Sequence, residues 1–124
     1  MSYRILVTGS RDWSDSMSLS KALALEVVPA IEKGLDVVVI HGDCPTGADA
    51  ITQEVCDANN VPTERHPADW ATYGRSAGPV RNKYMVDLGA DVCLAFPLLN
   101  SRGTLNCMRL AEQAGIPVHN FGEA

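Results

Sequence analysis

The chain of 124 residues is short of positive charge: 10 Lys and Arg stand against 15 Asp and Glu, a net charge of −5. That balance argues against duplex nucleic acid as a partner, because such binding needs many phosphate contacts from Lys and Arg. A small anionic ligand is not excluded, since a few local arginines suffice. No apolar stretch approaches the length of a membrane span, so no membrane partner is expected. The N-terminal "MSYRILVTGS" lacks the long apolar core of a signal peptide. The four cysteines, Cys44, Cys56, Cys93 and Cys107, include no C-x-x-C pair and form no Cys/His spacing that suits zinc. None is followed six positions later by Arg, so a cysteine-phosphatase loop is absent. The cysteine pattern fits a reducing compartment, and a cytoplasmic location is expected. No G-x-S-x-G elbow and no Ser-His-Asp order is evident, and His41, His66 and His119 have no spaced ligand partners. Neither a metal nor a cofactor is expected.

What remains is ordinary for a soluble domain: 46% apolar and 20% charged residues, in a chain long enough for one core spanning residues 1–124. Short apolar runs alternate with helix-like segments. "RILVT" (4–8) reads as a buried strand. Leu19, Leu23, Val27 and Ile31 recur at helical spacing over residues 17–33, and Gly34 stops the run. "DVVVIH" (36–41) is a second strand whose β-branched run suggests cover on both faces. A helix over 47–58 follows, then a short polar strand at 62–66 near a sheet edge. Residues 67–79 form the longest irregular stretch, and a loop that long is more often functional than accidental. A helix opens near Pro79, a favoured first-turn residue, and ends near Leu88. A strand (91–96), a helix (102–114) and a last strand (117–121) complete the order.

This β-α alternation predicts one Rossmann-like three-layer α/β domain with a parallel sheet of about five strands. Such sheets bind ligands beyond the carboxyl ends of their strands, where strand order reverses. The glycine-rich strings fall there: "TGSRDW", "HGDCPTGAD" and "FPLLNSRGT" follow strands, and "SAGPVRN" enters a helix on the same edge. Arg11, Arg75, Arg81, Lys83 and Arg102, half of all Lys and Arg, lie in these strings or just inside the next helix. Together they predict a pocket for an anionic, phosphate-bearing small molecule.

Each string also has a plainer reading. Gly9, Ser10 and Arg11 either hold phosphate or ribose, or make a simple turn in which Ser10 or Asp12 satisfies local donors. Gly42 and Gly47 are spaced G-x-x-x-x-G, as in a phosphate loop, but Ala48 and Asp49 stand where that loop has Lys and Ser or Thr. The string is therefore poorly suited to a triphosphate with magnesium. Asp43 or Asp49 can accept ribose hydroxyls; in the plainer reading Thr46 or Asp43 caps the next helix and Asp49 sits in its favourable first turn. The long loop carries Asp69, Trp70, Tyr73 and Arg75; an aromatic there offers a base-stacking surface, although a large aromatic such as Trp70 more often buries itself and pins the loop. Arg81 and Asn82 open a helix where the dipole favours acids, so a cation there suggests an anionic partner. Ser101, Arg102, Gly103 and Thr104 combine backbone N–H groups, a hydroxyl and a helix start into a phosphate seat, with Ser101 as the helix cap.

The strings "GSRDW", "HGDCPTGADAIT", "ADWATYGRSAGPVRN" and "AFPLLNSRGTLNCMRLAEQAGIPV" together resemble the YspA/DUF2493 branch of the SLOG superfamily. That superfamily has Rossmann-like folds and includes the LOG phosphoribohydrolases and the DNA-uptake protein DprA. The resemblance implies a nucleotide or nucleotide-derived ligand at the strand ends, and dimers are common there, so it also implies a homodimer. LOG enzymes hydrolyse the N-glycosidic bond of nucleoside 5′-monophosphates, with a Gly-Gly-x-Gly-Thr phosphate segment, a Glu soon after it and an Arg on the preceding helix. Here Gly103 and Thr104 keep the end of that segment and Arg81 matches the helix arginine. The Glu is missing, because Leu105, Asn106 and Cys107 follow. A binding or sensing module is therefore the first expectation. The alternative is an N-glycosidic hydrolase in which Arg81 stabilises charge and Asp49 or Asp43 supplies the carboxylate. A protein-interaction module that has lost its pocket is a third, weaker option.

Overall fold

A computed structural model describes residues 1–123. Its elements run β1 (Ser2–Gly9), α1 (Ser16–Glu32), β2 (Asp36–His41), α2 (Gly47–Ala58), β3 (Thr63–Arg65), α3 (Trp70–Tyr73), α4 (Ala77–Leu88), β4 (Val92–Phe96), α5 (Arg102–Gln113) and β5 (Val118–Asn120). The five strands form one sheet in the order β3-β2-β1-β4-β5, and every pairing is parallel. The expected three-layer α/β architecture is therefore what the chain adopts.

The alternation of side chains along a strand explains the layers. In β1, Ile5 and Val7 face a core that α1 and α2 close with Leu19, Leu23, Val27 and Cys56. Leu6, between them, faces the opposite side and meets Met85 and Val86 of α4 and Cys107 and Ala111 of α5. All three β1 residues are fully buried. That double cover is why the strand reads as a continuous apolar run rather than an alternating one. β3 and β5 have three residues each, which leaves little open edge for pairing with another chain.

The chain departs from the sequence reading around residues 67–79. That stretch is not irregular: it holds α3 and a 3-10 turn at Gly74–Ser76, and α4 starts at Ala77 rather than at Pro79. Asp69 makes the short helix possible, since its Oδ1 accepts the Thr72 N–H at 3.1 Å. Pro79 sits in the first turn of α4, where backbone N–H groups have no helical acceptor and its missing donor costs nothing. β1 is longer than the apolar run alone indicates, because Ser2–Arg4 pair with Asp36–Val38 even though the Ser2 side chain is exposed.

Among the described residues no helix is long and apolar enough to cross a membrane. The four cysteines are free thiols, and Cys93 and Cys107 are small core residues whose burial pushes their pKa values up.

Candidate functional site

Strand order reverses between β1 and β4, and the loops that follow these two strands diverge there. A cleft of about 660 Å³ occupies that divergence. Its floor is the end of β1 and the loop after it, from Val7 to Asp12. Its walls are the β4–α5 loop and first turn (Leu98–Thr104) and the start of α4. Gly42, Cys44 and Asp49 of the β2–α2 segment close the back, and Trp70 stands at its edge.

Arg81 is the best-fixed cation of the cleft. Its Nη1 donates to the Gly42 carbonyl at 2.6 Å and to the His66 carbonyl at 3.3 Å, and its Nε donates to Asn82 Oδ1 at 2.9 Å. Nη2 meets no acceptor among the described residues. Gly42 is glycine for the same reason, because a Cβ there would fall on the Arg81 guanidinium. Asn82 is buried, and its amide is fully engaged. While its oxygen accepts from Arg81, its Nδ2 donates to the Gly103 carbonyl and to Asn106 Oδ1, both at 3.1 Å. One carboxamide thus holds the arginine of α4 against the first turn of α5.

That first turn is an open anion seat. Ser101 occupies the cap position, but its hydroxyl makes no cap bond; it accepts the Leu98 N–H at 2.9 Å instead. The expected capping role of Ser101 is therefore corrected. The N–H groups of Gly103 and Thr104 consequently meet no carbonyl or side chain among the described residues, and the helix dipole adds partial positive charge where they point. Arg102 lies beside them on the cleft wall, and Thr104 is buried in it.

Asp49 is 7% exposed and lies in the first turn of α2. Burial pushes its pKa up from the ordinary aspartate value; the Cys44 N–H it accepts at 3.2 Å and the nearby Arg81 guanidinium pull the other way. Burial, and then Asp49 itself, raise the pKa of the Cys44 thiol, so that side chain is not a thiolate nucleophile. His41 is buried and spent on the scaffold. Its Nδ1 accepts the Asp43 N–H at 3.0 Å, so Nε2 carries the proton and donates to Gln53 Oε1 at 2.7 Å.

The other residues singled out in the sequence divide by place. Gly9, Ser10 and Arg11 line the cleft. A Cβ on Gly9 would fall on Ala48 and crowd Phe96, so close packing already demands this glycine. The Ser10 hydroxyl accepts the Asp12 N–H at 3.0 Å, as a turn residue does. Asp43, Thr46, Gly47 and Asp69 lie outside the cleft lining. Asp43 faces Arg65 at 3.7 Å. Thr46 occupies the cap position of α2 without a cap bond; its hydroxyl donates to the Arg11 carbonyl at 3.0 Å. Gly47 has φ +73°, and a Cβ there would fall on the backbone of Ser10 and Arg11. These two residues join the β1 and β2 loops. Asp69 is fully exposed and caps α3, and the hydrogen bonds from Thr72 hold its carboxyl below the usual range. Trp70 is 50% exposed and belongs to neither core cluster, so the expectation that it buries and pins the loop is corrected. The Arg11 guanidinium lies 5.5 Å from its ring centre. Of the five cations in the glycine-rich strings, Arg11, Arg81 and Arg102 reach the cleft. Arg75 does not, and Lys83 points away to pair with Asp87 at 2.6 Å. Sequence reasoning named Asp12 as a turn residue alone and missed Cys44, Met85 and Leu99 in the lining. Only position after a strand could have flagged Asp12, Cys44 and Leu99, and nothing marked Met85 apart from the helical core.

The 3-2-1-4-5 parallel sheet, covered on both faces and open to a cleft at the reversal point, defines a Rossmann-like α/β protein. The chain belongs to the YspA, cpYpsA-related SLOG family (YAcAr), whose family model matches residues 3–73. It is 47% identical over 125 aligned residues to Gene 61 protein of Mycobacterium phage D29, with 97% of each chain covered. Among solved structures it resembles the C-terminal domain (residues 78–226) of PF1911 hydrogenase from Pyrococcus furiosus, with a TM-score of 0.50 and 15% identity. That match covers 95% of this chain and 89% of the other, and it is a likeness of fold alone.

Proposed function

We propose that this protein binds a nucleotide or nucleotide-derived ligand in the cleft, as a binding or sensing module. The observation that carries the reading is the convergence of Arg11, Arg81 and Arg102 with the unclaimed N–H groups of Gly103 and Thr104 on one site. Helix starts with free amides and local arginines are how folds of this class hold phosphate. In this arrangement the phosphate sits on the first turn of α5 beside Arg102, with the Gly9–Arg11 loop opposite. Nη2 of Arg81 supplies the facing charge, and Asp49 at the back of the cleft is the acceptor available to a ribose hydroxyl.

One observation favours chemistry as a second reading. Asp49 is a buried carboxyl of raised pKa in the wall that Arg81 shares, and such groups serve as proton donors or charge stabilisers. In a hydrolase of an N-glycosidic bond it would take the part left empty by Leu105, Asn106 and Cys107.

Ligand-observed NMR of the purified protein with nucleosides, nucleotides and ADP-ribose, followed over hours, separates these readings. Line broadening without new sugar or base signals supports the binding module. Free-base signals that vanish in Asp49→Asn support the hydrolase. Arg81→Ala is expected to weaken phosphate-bearing ligands by roughly 10- to 100-fold, as for a lost charge-assisted contact. No broadening with any phosphate-bearing compound would overturn both.

A further inference from the structure

The cleft has two chemically different halves. The inner half holds the free amides and the arginines. The outer half, around α3 and the tip of the β4–α5 loop, is apolar and exposed. Trp70 is 50% exposed there and Leu99 is 71% exposed, and both line the same cleft. Neither is exposed for want of a fold to bury in. Leu98, the neighbour of Leu99, packs against the core. Leu99 stands out because Asn100 takes a left-handed φ of 67°. The Ser101 N–H then closes a tight turn on the Leu98 carbonyl at 3.2 Å. The same turn keeps the Ser101 hydroxyl on the Leu98 N–H and so leaves the α5 amides free. Trp70 is held outside the core by the Asp69 cap of α3, and Gly78 of α4 lies beneath its indole. Arg11 lies over the ring, so the indole already stacks on a planar cation in place of a core residue.

We propose that the outer half of the cleft holds the aromatic base of the ligand by its face, on Trp70 and against Leu99. The protein then selects strongly for phosphate and weakly among bases. This rests on reading the cleft as a nucleotide site. The physical reason is the make-up of the outer wall. Trp70, Gly78, Pro79, Leu98 and Leu99 provide surface whose side chains offer a base edge nothing but the indole N–H, and Asn100 beside them adds one carboxamide at the exposed loop tip. Every base has a π-face, so stacking tolerates any of them, and the larger purine surface stacks better than a pyrimidine. Arg11 joins the two halves: it can stay on the indole or reach the phosphate, so an aromatic ligand with a phosphate satisfies both.

The test measures dissociation constants for AMP, GMP, CMP, UMP and ribose 5-phosphate with wild type, Trp70→Ala, Trp70→Phe and Leu99→Ser. Four results are expected. The four nucleotides lie within about tenfold of one another, purines tightest. Ribose 5-phosphate binds wild type more weakly than any of them. Trp70→Ala loses roughly 5- to 150-fold for nucleotides and changes ribose 5-phosphate by less than about twofold, and Trp70→Phe restores most of the loss. Leu99→Ser, at an exposed loop tip, shows a smaller loss confined to nucleotides. If ribose 5-phosphate binds as tightly as AMP and Trp70→Ala weakens both equally, the stacking proposal is wrong while the phosphate site stands. A preference for one base of a hundredfold or more also overturns it. If neither the nucleotides nor ribose 5-phosphate bind, the nucleotide reading itself has failed.

Discussion

Replacing Gly42 with alanine should move Arg81 without unfolding the protein, and replacing Gly47 should do the opposite. Gly42 has no left-handed φ, so alanine can adopt its backbone. The atoms its Cβ would strike belong to the guanidinium of Arg81, the far end of a flexible side chain. The unfolded chain loses some entropy, which favours the variant by about 0.4–1 kcal/mol. Against this stands the bond from Arg81 Nη1 to the Gly42 carbonyl, worth about 1.5–3 kcal/mol for a charged donor. The net cost is about 0.5–2.5 kcal/mol, a fall in melting temperature of about 2–10 °C. At Gly47 the φ of +73° costs alanine about 1–2 kcal/mol, and its Cβ strikes backbone of the β1 loop, which cannot swing aside. With overpacking of about 1–3 kcal/mol, the total is about 2–5 kcal/mol. Thermal melts followed by circular dichroism measure the stabilities, and phosphate titration at a temperature where both variants are folded measures the site. Gly42→Ala is expected to stay folded and to bind phosphate as poorly as Arg81→Ala. Wild-type binding and melting in Gly42→Ala would refute the placement of Arg81 against this glycine. Equal destabilisation of the two variants would mean that backbone, not side chain, takes up the strain at Gly42.

Asn82→Ala removes an amide that makes three hydrogen bonds at a buried position, and a loss of about 2–4 kcal/mol in urea unfolding is expected, together with weaker phosphate binding. A surface-like loss under 0.5 kcal/mol would contradict the role given to that amide. Asp49 makes a prediction in pH. Burial raises its folded-state pKa above the unfolded value, so its contribution to stability is fully present below the ordinary aspartate value of 3.8 and is lost as pH rises through the folded pKa. Asp49→Asn, permanently neutral and still able to accept the Cys44 N–H, should melt above wild type at neutral pH. The gap should close as pH falls below that range, and a gap independent of pH would count against the buried carboxylate.

Much of this protein was legible along the chain because its fold rests on local patterns. Continuous apolar runs are enough to mark β1, β2 and β4, since each is covered on both faces, and α1 and α5 declare themselves by spacing and a terminating glycine. Short polar edge elements carry weaker signals, which is why β3 and β5 came out shorter than the sequence suggested. In α3, four residues are too few for any helical period, and only the Asp69 cap marks them. The site was legible as a set of strings but not as a surface. Arg81 and Lys83 are two positions apart in one string, yet α4 turns about 200° between them. Arg81 therefore sits beside buried Asn82 and faces the cleft, while Lys83 faces water and Asp87.

By itself, then, the sequence determined the element order, the parallel α/β class and the loops that carry glycine and arginine, because those follow from periodicity and short-range chemistry. The tertiary structure alone decided the strand order, and with it which loops meet. It turned Gly42 into the seat of Arg81 and Gly47 into a join between loops. It spent His41 on Gln53 and Asp69 on a helix cap, and it left the amides of Gly103 and Thr104 open. These depend on contacts between residues tens of positions apart, such as Gly42 with Arg81 and Asn82 with Gly103. Packing across the sheet brings such pairs together, and no pattern within either string encodes the meeting.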